Sequence, residues 1–177
     1  MSVPKGKGKR RRAARLAAVQ ALYEMDLVGH SLIEVLGAFS TRGATADLDG
    51  QEVAADSSLF QDLVKGVTER KDDLDRVLNE AMSGRTVDRL EVLMRSILRA
   101  GAYEIISRSD IDPPLTISEY LTVTSSFYGG GEPAFVNGVL DRLVKTVDAD
   151  DFGVEDVPNL VGDEDTVPDD ADESSDD

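Results

Sequence analysis

The stretch RRRAARLAAVQALYEMDL, residues 10–27, decides the fold class. Leu16, Val19, Leu22, Tyr23 and Leu27 recur at steps of three, three, one and four residues, which lays one apolar stripe along a helix. Arginines occupy its first turns, so their charge is presented from an ordered platform. Positive charge at a helix N-terminus opposes the macrodipole. An anionic partner would offset that local cost.

Charge is polarised along the whole chain. Residues 1–15 hold Lys5, Lys7, Lys9, Arg10, Arg11, Arg12 and Arg15 and no acid, whereas residues 148–177 hold 14 acids and no Lys or Arg. The overall net charge of −16 therefore conceals a cationic arm. Screening cuts Coulomb interactions off within about 8 Å at physiological salt, so local charge, not the average, governs contact with phosphates. Residues 1–9 read as a flexible basic arm, with the helix starting near Lys9. Residues 10–147 form one helical domain. Residues 148–177 read as a disordered acidic tail, either a solvated segment or a competitor that folds back on the arm.

Further helical stripes follow. Ser31 and Glu34 are spaced as a capping box for a second helix ending near Arg42. Residues 44–55 are polar and contain glycine, and read as a loop. Asp56 or Ser57 caps a long third helix running through Leu63, Val67, Leu74 and Leu78 to Met82. Val87, Leu90, Leu93, Met94, Ile97, Leu98 and Tyr103 give the next stripe, with a break near Leu90. Asp112-Pro113-Pro114 is a breaker, and Thr116 with Glu119 is a second capping box. Phe135 to Val147 makes a last apolar helix after Gly129–Gly131. The expected fold class is all-α, about six helices.

The composition excludes several classes of chemistry. There is no Cys, and the single His30 cannot complete a metal site alone. The glycines at 129–131 have neither the preceding strand nor the Lys of a phosphate loop, and no nucleophile elbow is present. No cofactor and no enzymatic activity are expected. No apolar run approaches the roughly 18 residues needed to span a bilayer, so a cytoplasmic location is the expectation. What remains is binding: cations for phosphates, and rings such as Phe127 and Phe135, which flank the glycine turn and can stack a base.

Four strings occur in the order expected of one family: RRRAARLAAVQALYEMD at 10–26, DLVKGV at 62–67, ILRAGAYEI at 97–105 and FVNGVLDRLV at 135–144. Together with LTISEYLTVTSSFYGG at 115–130, the chain resembles the NusB family of bacterial transcription antitermination factors over about residues 10–147. The resemblance implies two three-helix subdomains packed together. It implies binding of single-stranded boxA-type RNA with ribosomal protein S10 (NusE), within the RNA polymerase antitermination complex on ribosomal RNA operons. Some members also self-associate as homodimers. By position, Arg11, Arg12 and Arg15 would meet RNA phosphates or base edges, Gln20 and Tyr23 would add a hydrogen bond and a ring, and Phe127 and Phe135 match aromatics near the RNA surface. Asn137 and Gly138 are expected to face neighbouring helices. Ala134 stands where many members carry Lys, and Met94-Arg95 replaces a common acidic–basic pair. Two other readings use the same residues: an S10-binding scaffold without strong RNA binding, and an accessory domain of RNA modification.

Overall fold

A computed structural model of the chain describes residues 5–151. Among the described residues there are seven α-helices: α1 (Lys5–Val28), α2 (Leu32–Arg42), α3 (Ser57–Glu69), α4 (Lys71–Ala81), α5 (Val92–Ser107), α6 (Pro113–Phe127) and α7 (Glu132–Asp151). A β-hairpin of β1 (Thr45–Leu48) and β2 (Gln51–Ala54) joins α2 to α3. The all-helical class is thus as read, with α1–α3 and the hairpin on one side of the sequence and α4–α7 on the other. Helix α5 is the shared centre, packing against α1, α3, α4, α6 and α7. Its inner face is buried from Met94 to Glu104 with only Arg95 partly open.

Four details differ from the sequence reading. First, α1 starts at Lys5, about a turn before Lys9, so residues 5–9 of the basic arm are helical. Most of the acidic tail lies outside the described residues, and α7 carries its first part to Asp151. Second, residues 44–55 are a hairpin. Asp49 and Gly50 both take positive φ (56° and 79°), the turn that Asp-Gly favours, and they pair Ala46 with Val53. Third, the long third helix is two helices hinged at Arg70, where φ is −111° and ψ is 19°. The apolar stripe runs through this hinge without losing phase, from Val67 to Leu74 and Leu78, so the pattern carries no mark of it. Fourth, α6 begins at Pro113, not near Thr116. Both prolines sit in the first turn, where a missing N–H costs nothing. Thr116 is then buried mid-helix, and Glu119 is free for another task.

The other start signals behave as their chemistry dictates. The Ser31 hydroxyl accepts from the Glu34 N–H at 3.3 Å, and the Glu34 carboxylate accepts from the Ser31 N–H at 2.7 Å. Asp56 caps α3 through the Leu59 N–H at 3.0 Å. The helix of residues 86–107 does break at Leu90, leaving a short 3₁₀ turn at Val87–Arg89 before α5. His30 is exposed in the turn before α2.

Close packing of α3 on α5 depends on Gly66. A Cβ there would overlap the ring of Tyr103. That ring cannot swing away freely, because its hydroxyl donates to Asp62 at 2.7 Å, a bond that, with burial, pushes its pKa up to about 12. Gly66→Ala is expected to destabilise the fold by about 1–3 kcal/mol. An unchanged urea unfolding midpoint would contradict this packing.

Candidate nucleic-acid interface

The arginine-rich start of α1 divides by helical rotation. Arg15 points inward. It is 3% exposed, and its Nε donates to both oxygens of the fully buried Glu104, at 3.1 and 3.0 Å. Burial opposes the Arg15 charge, but Glu104 more than offsets it, so the guanidinium pKa lies above the ordinary arginine value. The inference that Arg15 meets RNA is corrected accordingly: its side chain is buried and held by Glu104, with Glu119 at 3.7 Å. Arg12 is fastened to α6, with Nε and Nη2 donating to the two Glu119 oxygens at 3.0 and 3.1 Å. It remains 42% exposed, so one edge is still open to solvent. Arg11 is half-buried, and Lys7, Lys9 and Arg10 are exposed. None of these four has a carboxylate partner among the described residues. The Arg10 carbonyl accepts from the Asp56 N–H at 2.9 Å, which ties the base of the arm to the cap of α3.

The remaining sequence-selected residues lie further along the molecule. Gln20 is exposed on α1, and Tyr23, one turn on, is half-buried. Phe127 is 36% exposed at the end of α6. Phe135 is half-buried on the first turns of α7, and the Arg85 guanidinium lies 5.4 Å from its ring centre. The structure therefore joins Phe135 to a cation that sequence reasoning missed. Arg85 sits in the Gly84–Arg89 turn, with no periodicity to flag it.

Two contiguous grooves share Arg85 and Phe135. One, of about 470 Å³, is walled by the end of α4 and the face of α7 bearing Gly138 and Arg142. The other, of about 360 Å³, contains Arg89, Met94, Glu91 and Glu132. At its edge the Tyr128 hydroxyl donates to Glu91 at 3.0 Å, and burial together with this bond raises the phenol pKa well above its ordinary value. Gly138 and Asn137 are exposed, and a Cβ at Gly138 would meet nothing within 4 Å. The expectation that Gly138 packs closely on a neighbouring helix is overturned, whereas Asn137 lines a groove with Pro113, Ile117 and Ser118 of α6. The glycine that admits a neighbouring helix is Gly101, where a Cβ would lie 3.0 Å from Leu140 on α7. Among the described residues no cluster of His, Cys, Asp and Glu could hold a metal, and no helix is long and apolar enough to cross a membrane.

Removing one member of a buried ion pair leaves an uncompensated charge and costs about 3–5 kcal/mol. Glu104→Ala should lower stability by that amount, whereas the double variant Arg15→Met with Glu104→Leu should recover most of it. Chemical unfolding of the three proteins checks this, and a single variant as stable as the parent would remove the anchoring role.

Comparison with known proteins places this geometry. The NusB family model matches residues 12–145. A transcription antitermination protein NusB of a Bradyrhizobium species is 38% identical over 149 residues, covering 83% of this chain and 88% of the relative. The NusB of Sinorhizobium medicae is 40% identical over 139 residues, covering 77% of this chain and 87% of its own. Among solved structures, a T. maritima NusB superposes with a TM-score of 0.62 at 26% identity, over 82% of this chain and 93% of that one. A structure of antitermination factors NusB and NusE with double-stranded RNA gives a TM-score of 0.63 at 23% identity, over 78% and 98%; that similarity concerns the fold. A helical body matched from its second arginine-bearing turn to the last turns of α7 leaves one conclusion: the chain belongs to the NusB family.

Proposed function

We propose that the protein is a transcription antitermination factor that binds single-stranded boxA-type RNA together with ribosomal protein S10 (NusE), without catalysing a reaction, in the cytoplasm. The observation that carries this reading is the cationic surface at the start of α1, without carboxylate partners among the described residues, in a chain of this family whose net charge is −16. In a strongly acidic protein, Lys7, Lys9, Arg10 and Arg11 have no carboxylate partner among the described residues, which makes the head of α1 a local site for a polyanion. Curated relatives carry the name transcription antitermination protein, and one fold neighbour was solved with NusE and RNA.

Roles follow from placement. Lys7, Lys9, Arg10 and Arg11 capture phosphates. Arg12 contributes its open edge while Glu119 holds it. Arg15 positions α1 and does not touch the strand. Gln20, Tyr23 and Phe127 supply a hydrogen-bonding amide and rings for unstacked bases, the features by which single strands are read. Met94 is buried beside the second groove, so it offers S10 no charge and little surface, and S10 contact there falls to its neighbours.

Neutralising a phosphate on a single strand contributes about −0.7 to the slope of log affinity against log salt. Arg10→Ala with Arg11→Ala should therefore flatten that slope by about 1.4 in a titration of boxA-type RNA, with S10 capture retained. If RNA affinity and slope stay at parent values, the chain is an S10 scaffold and this reading is wrong.

A further inference from the structure

We infer that the groove between the end of α4 and α7 is a second RNA contact, seating one nucleotide with its phosphate on Arg85 and Arg142 and its backbone against Gly138. The inference rests on the RNA-binding reading above and extends it to a groove on α7 and the end of α4.

Three observations carry it. The first is Gly138 itself. A glycine inside a helix costs about 1 kcal/mol relative to alanine, and it is usually retained where another backbone comes close. Among the described residues nothing does: a Cβ at Gly138 would have open space around it, and the residue is exposed. Gly66 and Gly101 are explained by Tyr103 and Leu140; Gly6, Gly8, Gly37 and Gly138 are open, and of these four Gly138 lines this groove.

The second observation is the charge of the lining. Arginines that serve the fold are paired with acids: Arg12, Arg15, Arg99 and Arg108 all reach a carboxylate at 3.0 Å or less. Arg85 and Arg142 have no carboxylate partner among the described residues. Arg142 Nη1 makes only long contacts of 3.4 Å to the Ala81 carbonyl and the Ser83 hydroxyl, which leave its other nitrogens to donate elsewhere. No acid lines the groove, although the chain has 35 acids against 19 bases.

The third is shape. The groove holds about 470 Å³, within the roughly 300–1,000 Å³ of small-ligand sites. Arg85 lies over the Phe135 ring, and a guanidinium plane held there can stack an unpaired base on its free side or donate its edge to a phosphate. The adjoining groove has similar depth but contains Glu91 and Glu132, which repel phosphate. The nucleotide is therefore assigned to the Gly138 side. Polar cations over a ring, without an acid, fit a nucleotide better than an apolar knob of a protein.

The test uses the full chain, fluorescein-labelled boxA-type single-stranded RNA without S10, and a parallel S10 capture assay. Gly138→Leu fills the groove from a position where the fold has room. It should weaken RNA binding roughly tenfold, the scale of one lost base contact, with an unfolding temperature equal to or above the parent's. Arg142→Gln should flatten the salt slope by about 0.7. Both variants should capture S10 normally. Parent-level RNA binding by both variants would overturn the inference, as would a loss confined to S10 capture. If Arg10→Ala with Arg11→Ala weakens RNA binding while the groove variants do not, the general RNA-binding reading stands and the second contact is removed. If the parent protein binds no RNA, both fall.

Discussion

The Arg15–Glu104 pair is the constraint on which the rest of the arrangement depends. Both side chains are enclosed, so neither charge can be left alone, and their mutual hydrogen bonds lock α1 onto the central helix α5 at one rotation. Successive residues turn by about 100°. With Arg15 pointing inward, Arg11 and Arg12 lie about 40° and 60° to either side of it, which is why both are half-buried. Arg10 and Gln20 fall about 140° away and are exposed. One buried contact thus selects which members of a basic cluster serve the fold and which face an outside anion.

That division reconciles an acidic protein with a polyanionic partner. Carboxylates elsewhere are engaged in fastening helices: Asp75 and Asp26 hold Arg99 at 2.7–2.9 Å across α4, α1 and α5, and Asp62 joins Tyr103 and Arg108 across α3 and α5. Among the described residues, cations without a carboxylate partner include those at the head of α1 and Arg85 and Arg142 around the Phe135 groove. Screening makes each patch local, so a strand experiences the nearby cations more than the net charge. Gln20 and Phe127 are exposed and Tyr23 is half-buried, polar and aromatic groups further along α1 and at the end of α6.

Much of the fold was legible because helical stripes, the Ser31–Glu34 capping box and the break at Leu90 are local signals. The hinge at Arg70 was not, because the apolar phase continues across it. The hairpin had a readable mark in Asp49-Gly50, overlooked inside a polar stretch. Arg15 could have been recognised as internal: it lies one position before Leu16 in an otherwise apolar face, and Glu104 stands three residues after Gly101 on the inner side of α5. Arg85 gave no such sign, since its meeting with Phe135 depends on how the end of α4 packs against α7, whereas Arg142 lies two turns beyond Phe135 on one face of α7. Gly138 was misread for a related reason: a helical glycine announces a close approach but not whether the visitor is internal.

The central claim is that rotation of α1 separates structural arginines from RNA-facing ones. Arginine-selective modification by phenylglyoxal, mapped by mass spectrometry with and without saturating boxA-type RNA, addresses it most directly. The account predicts that Arg10 and Arg11 react in the free protein and are protected by RNA, while Arg15 and Arg99 are unreactive in both states. Modification of Arg15 in the folded free protein, or undiminished modification of Arg10 and Arg11 under bound RNA, would contradict it.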